Sequence, residues 1–150
     1  MKSKDKYRRG VCGIFLAQDG LVLLGERQGQ AGQWQFPQGG MEDGETIVEA
    51  LHREMDEEVG IRKITILRQT EEWIAYNFPE GLFKKTHFIG QQHIYFVLDG
   101  SKIVAESIKE RDEFARFAWF TPQQAYDRIV HWKKAAYLEA LGLLGFPIKA

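Results

Sequence analysis

The stretch Gly39-Gly40-Met41-Glu42-Asp43-Gly44-Glu45, running on through Arg53-Glu54-Met55-Asp56-Glu57-Glu58-Val59-Gly60-Ile61, constrains the fold more than any other part of the chain. It is a glycine loop feeding a helix. No Pro or Gly interrupts the interval from Glu45 to Glu58, good helix formers fill it, and Gly60 supplies the stop. At about 100° per residue, Ile47, Val48, Leu51, Met55 and Val59 form one apolar stripe, which predicts a helix packed on a sheet.

The acids do not avoid that stripe. Glu58 falls inside it, Glu54 flanks it, and Glu57 sits a turn from Glu54, so like charges meet at i, i+3 and i+4 spacings. A solvated acidic face turns outward. These carboxylates overlap the buried side, where a charge is costly unless a cation compensates it. A cluster of hard oxygen donors with no His or Cys beside it suits Mg²⁺, or Mn²⁺, rather than zinc. Magnesium takes few carboxylates and completes its shell with water and substrate phosphates, so the cluster implies a phosphate-bearing ligand.

The spacing Gly39, five residues, Glu45, seven residues, Arg53-Glu54-Met55-Asp56-Glu57-Glu58-Val59-Gly60-Ile61 resembles a complete Nudix box, with every fixed position filled. The resemblance implies a Nudix-type α/β/α sandwich around a mixed β-sheet and an enzyme that cleaves a phosphoanhydride in a nucleoside diphosphate linked to another moiety. It implies metal-binding roles for Glu54, Glu57 and Glu58, with Gly39 at the same site, and an orienting role for Arg53. The carboxylate density is consistent with more than one ion. Either Glu54 or Glu57 would be the general base.

Trp34-Gln35-Phe36-Pro37-Gln38, just ahead of the box, is similar to the branch that holds RNA pyrophosphohydrolases and dinucleoside polyphosphate hydrolases. Four further places carry the likeness. Glu113-Phe114 matches a pair whose glutamate reaches back to the metal site. Trp132-Lys133 matches an aromatic and a lysine that stack a base and hold phosphate, and the resemblance implies a substrate-binding role for Val130, two residues ahead of Trp132, as well. Glu72 to Pro79 contains the branch's recurring tryptophan, tyrosine and proline, with Tyr76 either a core aromatic or a ligand contact. Near the start, Tyr7-Arg8 begins the matching region. His93-Ile94-Tyr95 departs from the branch pattern, which bears on fine substrate preference. Arg8, Arg27 and Lys133 would form a local basic patch, and Lys84-Lys85 is a solvated pair that could also meet a downstream nucleotide.

The 150 residues predict one domain. A net charge of -1 gives no global attraction to nucleic acid, so contact with RNA must rest on that patch. No apolar run is long enough for a membrane span, and no signal-peptide core is present. A single cysteine, Cys12, excludes an internal disulfide and fits a reduced cytoplasm; it reads as a small core residue.

Val11 to Ala17 and Leu21 to Gly25 predict two strands around the turn Gln18-Asp19-Gly20. Arg62 to Arg68, Phe88 to Leu98 and Ala115 to Phe120 predict three more, with Ile94, Phe96 and Leu98 sharing a face and His93 hydrogen-bonded in its strand. Thr121-Pro122 opens a helix, followed from Ala135 to Leu144 by a second helix or its continuation.

The expected activity is removal of pyrophosphate or phosphates from 5′-triphosphorylated RNA, leaving a monophosphate. Diadenosine tetraphosphate hydrolysis is the alternative. A reading of another class, a non-catalytic nucleotide-sensing module, would predict lost box carboxylates and an appended domain. Monomer and homodimer are both open.

Overall fold

In the computed structural model the described residues are 6–80 and 87–150; Lys84-Lys85 lies outside them. The longest strands are β1 (Tyr7–Leu16) and β7 (Gly90–Asp99), which pair in parallel along their whole length, from Tyr7 opposite Gly90 to Leu16 opposite Asp99. A parallel pair at the centre of a sheet is buried on both faces, which is why both strands are nearly continuous in apolar residues. Side chains alternate regardless: Val11, Phe15, Ile94, Phe96 and Leu98 enter one core, while Cys12, Ile14, Tyr95 and Val97 enter the other.

The remaining strands are antiparallel additions. They are β2 (Val22–Arg27), β3 (Trp34–Gln35), β4 (Gln38–Gly40), β5 (Ile66–Gln69), β6 (Ile74–Asn77) and β8 (Phe114–Phe120). β1 pairs with β2 only at Leu16 and with β4 from Gly10 to Cys12, so its two ends have different neighbours on one edge. β7 divides its other edge between β6 and β5. β2 carries β3 and β8. The result is an eight-stranded mixed sheet.

Helix α1 (Ile47–Val59) covers one face, over β1 and β4. Helices α2 (Pro122–Arg128) and α3 (Lys134–Leu143) cover the other. This is the α/β/α arrangement expected. Thr46 caps α1 in a capping box with Glu49, and Gly60 ends it with φ 78°, a left-handed conformation that favours glycine. Thr121 and Gln124 form the equivalent box on α2.

Several expectations shift. The buried arc of α1 lies further round than the stripe suggests: Ala50 is fully buried and Val48 is 44% exposed. The small Ala50 side chain lets α1 approach the sheet on that side, and Val48 at the opposite margin is left in solvent. The strand expected from Arg62 is only Ile66–Gln69, with Leu67 facing out, because β7 has partners for it only over its C-terminal half. α2 and α3 are separate helices, divided by the extended Ile129 and a 3-10 turn, His131–Lys133. Cys12 is a core residue, and burial pushes its thiol far up.

Candidate active site

A cleft of about 490 Å³ opens where the N-terminal ends of β1 and β7 meet β4 and α1. α1 contributes Glu54, Glu57 and Glu58, and Glu113, immediately before β8, stands with them. The same cleft is lined by Arg8 from β1, Arg27 from the end of β2, and Trp132 and Lys133 from the 3-10 turn. Tyr76 of β6 and the Gly39-Gly40 segment of β4 complete the wall. One cleft therefore brings together acids, cations and aromatic rings, with Arg8 near Glu54 and Arg27 near Glu58.

Arg53 is not in that lining. It lies behind the acids and fastens loop to helix: Nε and Nη2 donate to the two Glu45 carboxylate oxygens at 2.6 and 2.9 Å, and Nη2 also reaches the Gly40 carbonyl at 2.8 Å. Nη1 donates to Glu54 at 2.9 Å and Glu57 at 3.2 Å. This bidentate fork holds the Glu45 carboxyl down at about 2. Val130 is the other exception. It packs against the core, and its carbonyl accepts the Lys133 backbone N–H at 3.0 Å.

Two of the acids, Glu54 and Glu58, sit where their charge is disfavoured. Glu54 is buried and its carboxyl is raised, first by that burial, with the Arg53 bond opposing. Glu58 is raised to about 8, again first by burial and then by repulsion from Glu113, Glu54 and Glu57. A Cβ at Gly39 would overlap the Glu54 carboxylate, so only glycine lets that acid lie against β4. Among the described residues no three acidic, His or Cys side chains are gathered as a ready cation cage; Arg53 pairs with Glu54 and Glu57 and leaves the mutual repulsion at Glu58 in place. The donor set is all oxygen and its repulsion is of the kind a divalent cation relieves, so these residues fit such an ion.

The cleft also contains a buried cation. Lys133 is 3% exposed, donates from Nζ to Gln35 Oε1 at 3.0 Å, and lies 5.3 Å from the ring centres of both Tyr76 and Trp132. Burial, and then the nearby Arg27, lower it to about 8. Arg27 Nε is buried with no hydrogen-bond partner among the described residues. Tyr76 is a core aromatic that also lines the cleft, its hydroxyl donating to Gln91 Oε1 at 2.7 Å.

His93 is fully buried and pushed down to about 3, mainly by burial, hence neutral. Nε2 lies 3.2 Å from the same Gln91 oxygen; a proton on Nε2 leaves Nδ1 a bare acceptor, and Nδ1 has no partner among the described residues. The expected hydrogen bond is present at one ring nitrogen only. Gln35, Gln38 and Gln91, with Phe78 and Phe88, also line the cleft and were not anticipated. The signal for the first two is their place inside the Trp34–Gln38 string, whose aromatic members Trp34 and Phe36 are buried in the core.

A cleft of this kind, on a helix that follows a glycine loop in an α/β/α sandwich, is that of the Nudix hydrolases. The NUDIX domain model matches residues 6–141, and the chain belongs to this family. The particular relatives it resembles include the RNA pyrophosphohydrolase of Helicobacter pylori (strain ATCC 700392 / 26695), with 37% identity over 142 residues, covering 91% of this chain and 92% of that one. Its fold is also that of the E. coli dihydroneopterin triphosphate pyrophosphohydrolase, at TM-score 0.68 and 20% identity over 89% of this chain and 95% of that one. A C. elegans Ap4A hydrolase gives TM-score 0.67 at 17% identity, covering 91% and 97%. No described helix is long and apolar enough to cross a membrane.

Proposed function

We propose that this Nudix hydrolase removes pyrophosphate from the 5′-triphosphate end of RNA in the cytoplasm and leaves a 5′-monophosphate. The observation that carries the reading is one cleft lined by four carboxylates, three cations and aromatic rings, combined with likeness to an RNA pyrophosphohydrolase over almost its whole length. Glu54, Glu57, Glu58 and Glu113, with the Gly39 segment, would hold Mg²⁺, or Mn²⁺, in more than one position. Bound divalent ions would neutralise the polyphosphate and acidify an attacking water. Arg8, Arg27 and Lys133 take the phosphate oxygens. Trp132 offers a ring face to the first base, and any base has a complementary face. Glu54 and Glu57 are the two candidate bases; Arg53, bonded to both, fixes their orientation and touches no substrate. Neither residue has an advantage in geometry alone.

Diadenosine tetraphosphate presents the same parts, a base, a polyphosphate and a second nucleotide, and is the second reading. The test compares rates on 5′-triphosphorylated RNA, diadenosine tetraphosphate and GTP at equal concentration with Mg²⁺, using Glu57→Gln as control. Fastest release from the RNA, lost in the variant while its circular dichroism is unchanged, is the expected result. Preference for the dinucleotide would move the function to nucleotide clearance, and tight binding without turnover would restore the sensing role.

A further inference from the structure

A second cavity, of about 790 Å³, lies beyond the C-terminal end of α1, away from the cleft. Lys63, Lys102, Lys109 and Arg111 line it, against a single acid, Asp99. In a chain of net charge -1 that is a strong local excess of positive charge. Asp99 is also already engaged, accepting the Ser101 backbone N–H at 2.9 Å.

Arg111 is the anchored member of the set. Its backbone N–H donates to the Phe114 carbonyl at 2.8 Å, and its carbonyl accepts from Gln28 Nε2 at 3.1 Å. Its guanidinium lies against Gly60, the residue that ends α1, and its Nε is buried without a hydrogen-bond partner among the described residues. A buried guanidinium N–H with no acceptor is a cost that an anion removes. Beside the cations, Ile61, Ile103 and Ile108 form an apolar wall, and Val104 at its edge is 60% exposed. Cations and branched aliphatics lining one cavity suit a ligand with an anionic end and an apolar body.

We infer that this cavity binds a phosphate-bearing small molecule of nucleotide size, its phosphate on Arg111 and the lysines and its base on the isoleucines. The volume falls within the roughly 300–1,000 Å³ usual for such ligands. It is not the continuation of a polynucleotide track from the cleft. Between the two lies a depression that Arg111 shares with Glu57, Glu58, Glu110, Asp112 and Glu113, and the five carboxylates there repel a phosphodiester chain. The ligand is a separate molecule, and its site does not depend on what the cleft hydrolyses.

The test titrates the ¹⁵N-labelled full chain with AMP and, separately, with inorganic phosphate, without divalent cations, and reads amide shifts residue by residue. AMP should move Lys63, Ser101 to Lys109 and Arg111 saturably, phosphate should bind at least about tenfold more weakly, and Lys102→Glu with Lys109→Glu should weaken AMP by about tenfold or more. Both lysines are exposed, so the double variant should keep its fold, which an otherwise unchanged spectrum verifies. Shifts confined to cleft residues, or cavity shifts untouched by the charge reversal, would overturn the site; phosphate binding as tightly as AMP would overturn the nucleotide assignment.

Discussion

Lys133 should make the protein less stable at neutral pH while serving its ligand. Its Nζ is held at about 8, against an ordinary 10.5, chiefly by burial. The difference corresponds to on the order of 3 kcal/mol against folding. The sign follows from proton counting. Below pH 8 the lysine is charged in both states and the penalty is complete; between 8 and 10.5 the folded state has released the proton while the unfolded chain still binds it, so stability recovers as pH rises. Lys133→Met removes the penalty but strands the buried Gln35 oxygen, at a cost of ~1–3 kcal/mol.

The variant should therefore be about 1 kcal/mol more stable than the parent at pH 7, a Tm gain of about 2–4 °C for a chain of this length. At pH 10 the order should reverse, because the parent has shed its penalty and the variant has not regained its hydrogen bond. Thermal melts of both proteins at pH 7 and pH 10 decide this. A Tm difference that stays constant across that interval would refute the reasoning, since a buried charge must carry this pH signature. The same variant should raise KM for 5′-triphosphorylated RNA more than it lowers kcat if Lys133 holds phosphate.

Arg53→Lys loses the bidentate contact with Glu45 and the Gly40 carbonyl bond, which should lower stability by about 2 kcal/mol and Tm by about 4–8 °C; urea unfolding measures it, and activity should fall as Glu54 and Glu57 lose their common donor. Gly39→Ala forces the Glu54 carboxylate off β4, and since a displacement of about 1 Å costs roughly 100-fold in rate, turnover should drop by that order while far-ultraviolet circular dichroism stays native. Chelation with EDTA should abolish hydrolysis and excess Mg²⁺ should restore it, with the Glu58 environment, followed by amide shifts, responding to the ion in the same range.

What the sequence disclosed and what it concealed divide along sequence separation. α1 was legible because each signal is local: Thr46 and Glu49 lie in one turn, Gly60 follows directly, and the overlap of Glu54 and Glu58 with the apolar arc follows from helical angle. The margin of that arc was not, because Val48 or Ala50 is buried according to how closely α1 approaches β1 and β4. Lys133 is the clearer case. The sequence offers it as a member of a basic patch that holds phosphate, and its burial exists only because the chain closes Gln35 and Tyr76 over it from far away in sequence. Gln91 is similar, receiving Tyr76 across a strand pair. Where folding and local preference conflict, as for acids on a packing face or a lysine among aromatic rings, the residue has no gain in stability to explain it, and this is the ground for proposing a ligand there. Such conflicts were half visible at Glu54 and Glu58 and invisible at Lys133, because the wheel reports one element's own geometry and a buried lysine is defined by the elements that cover it.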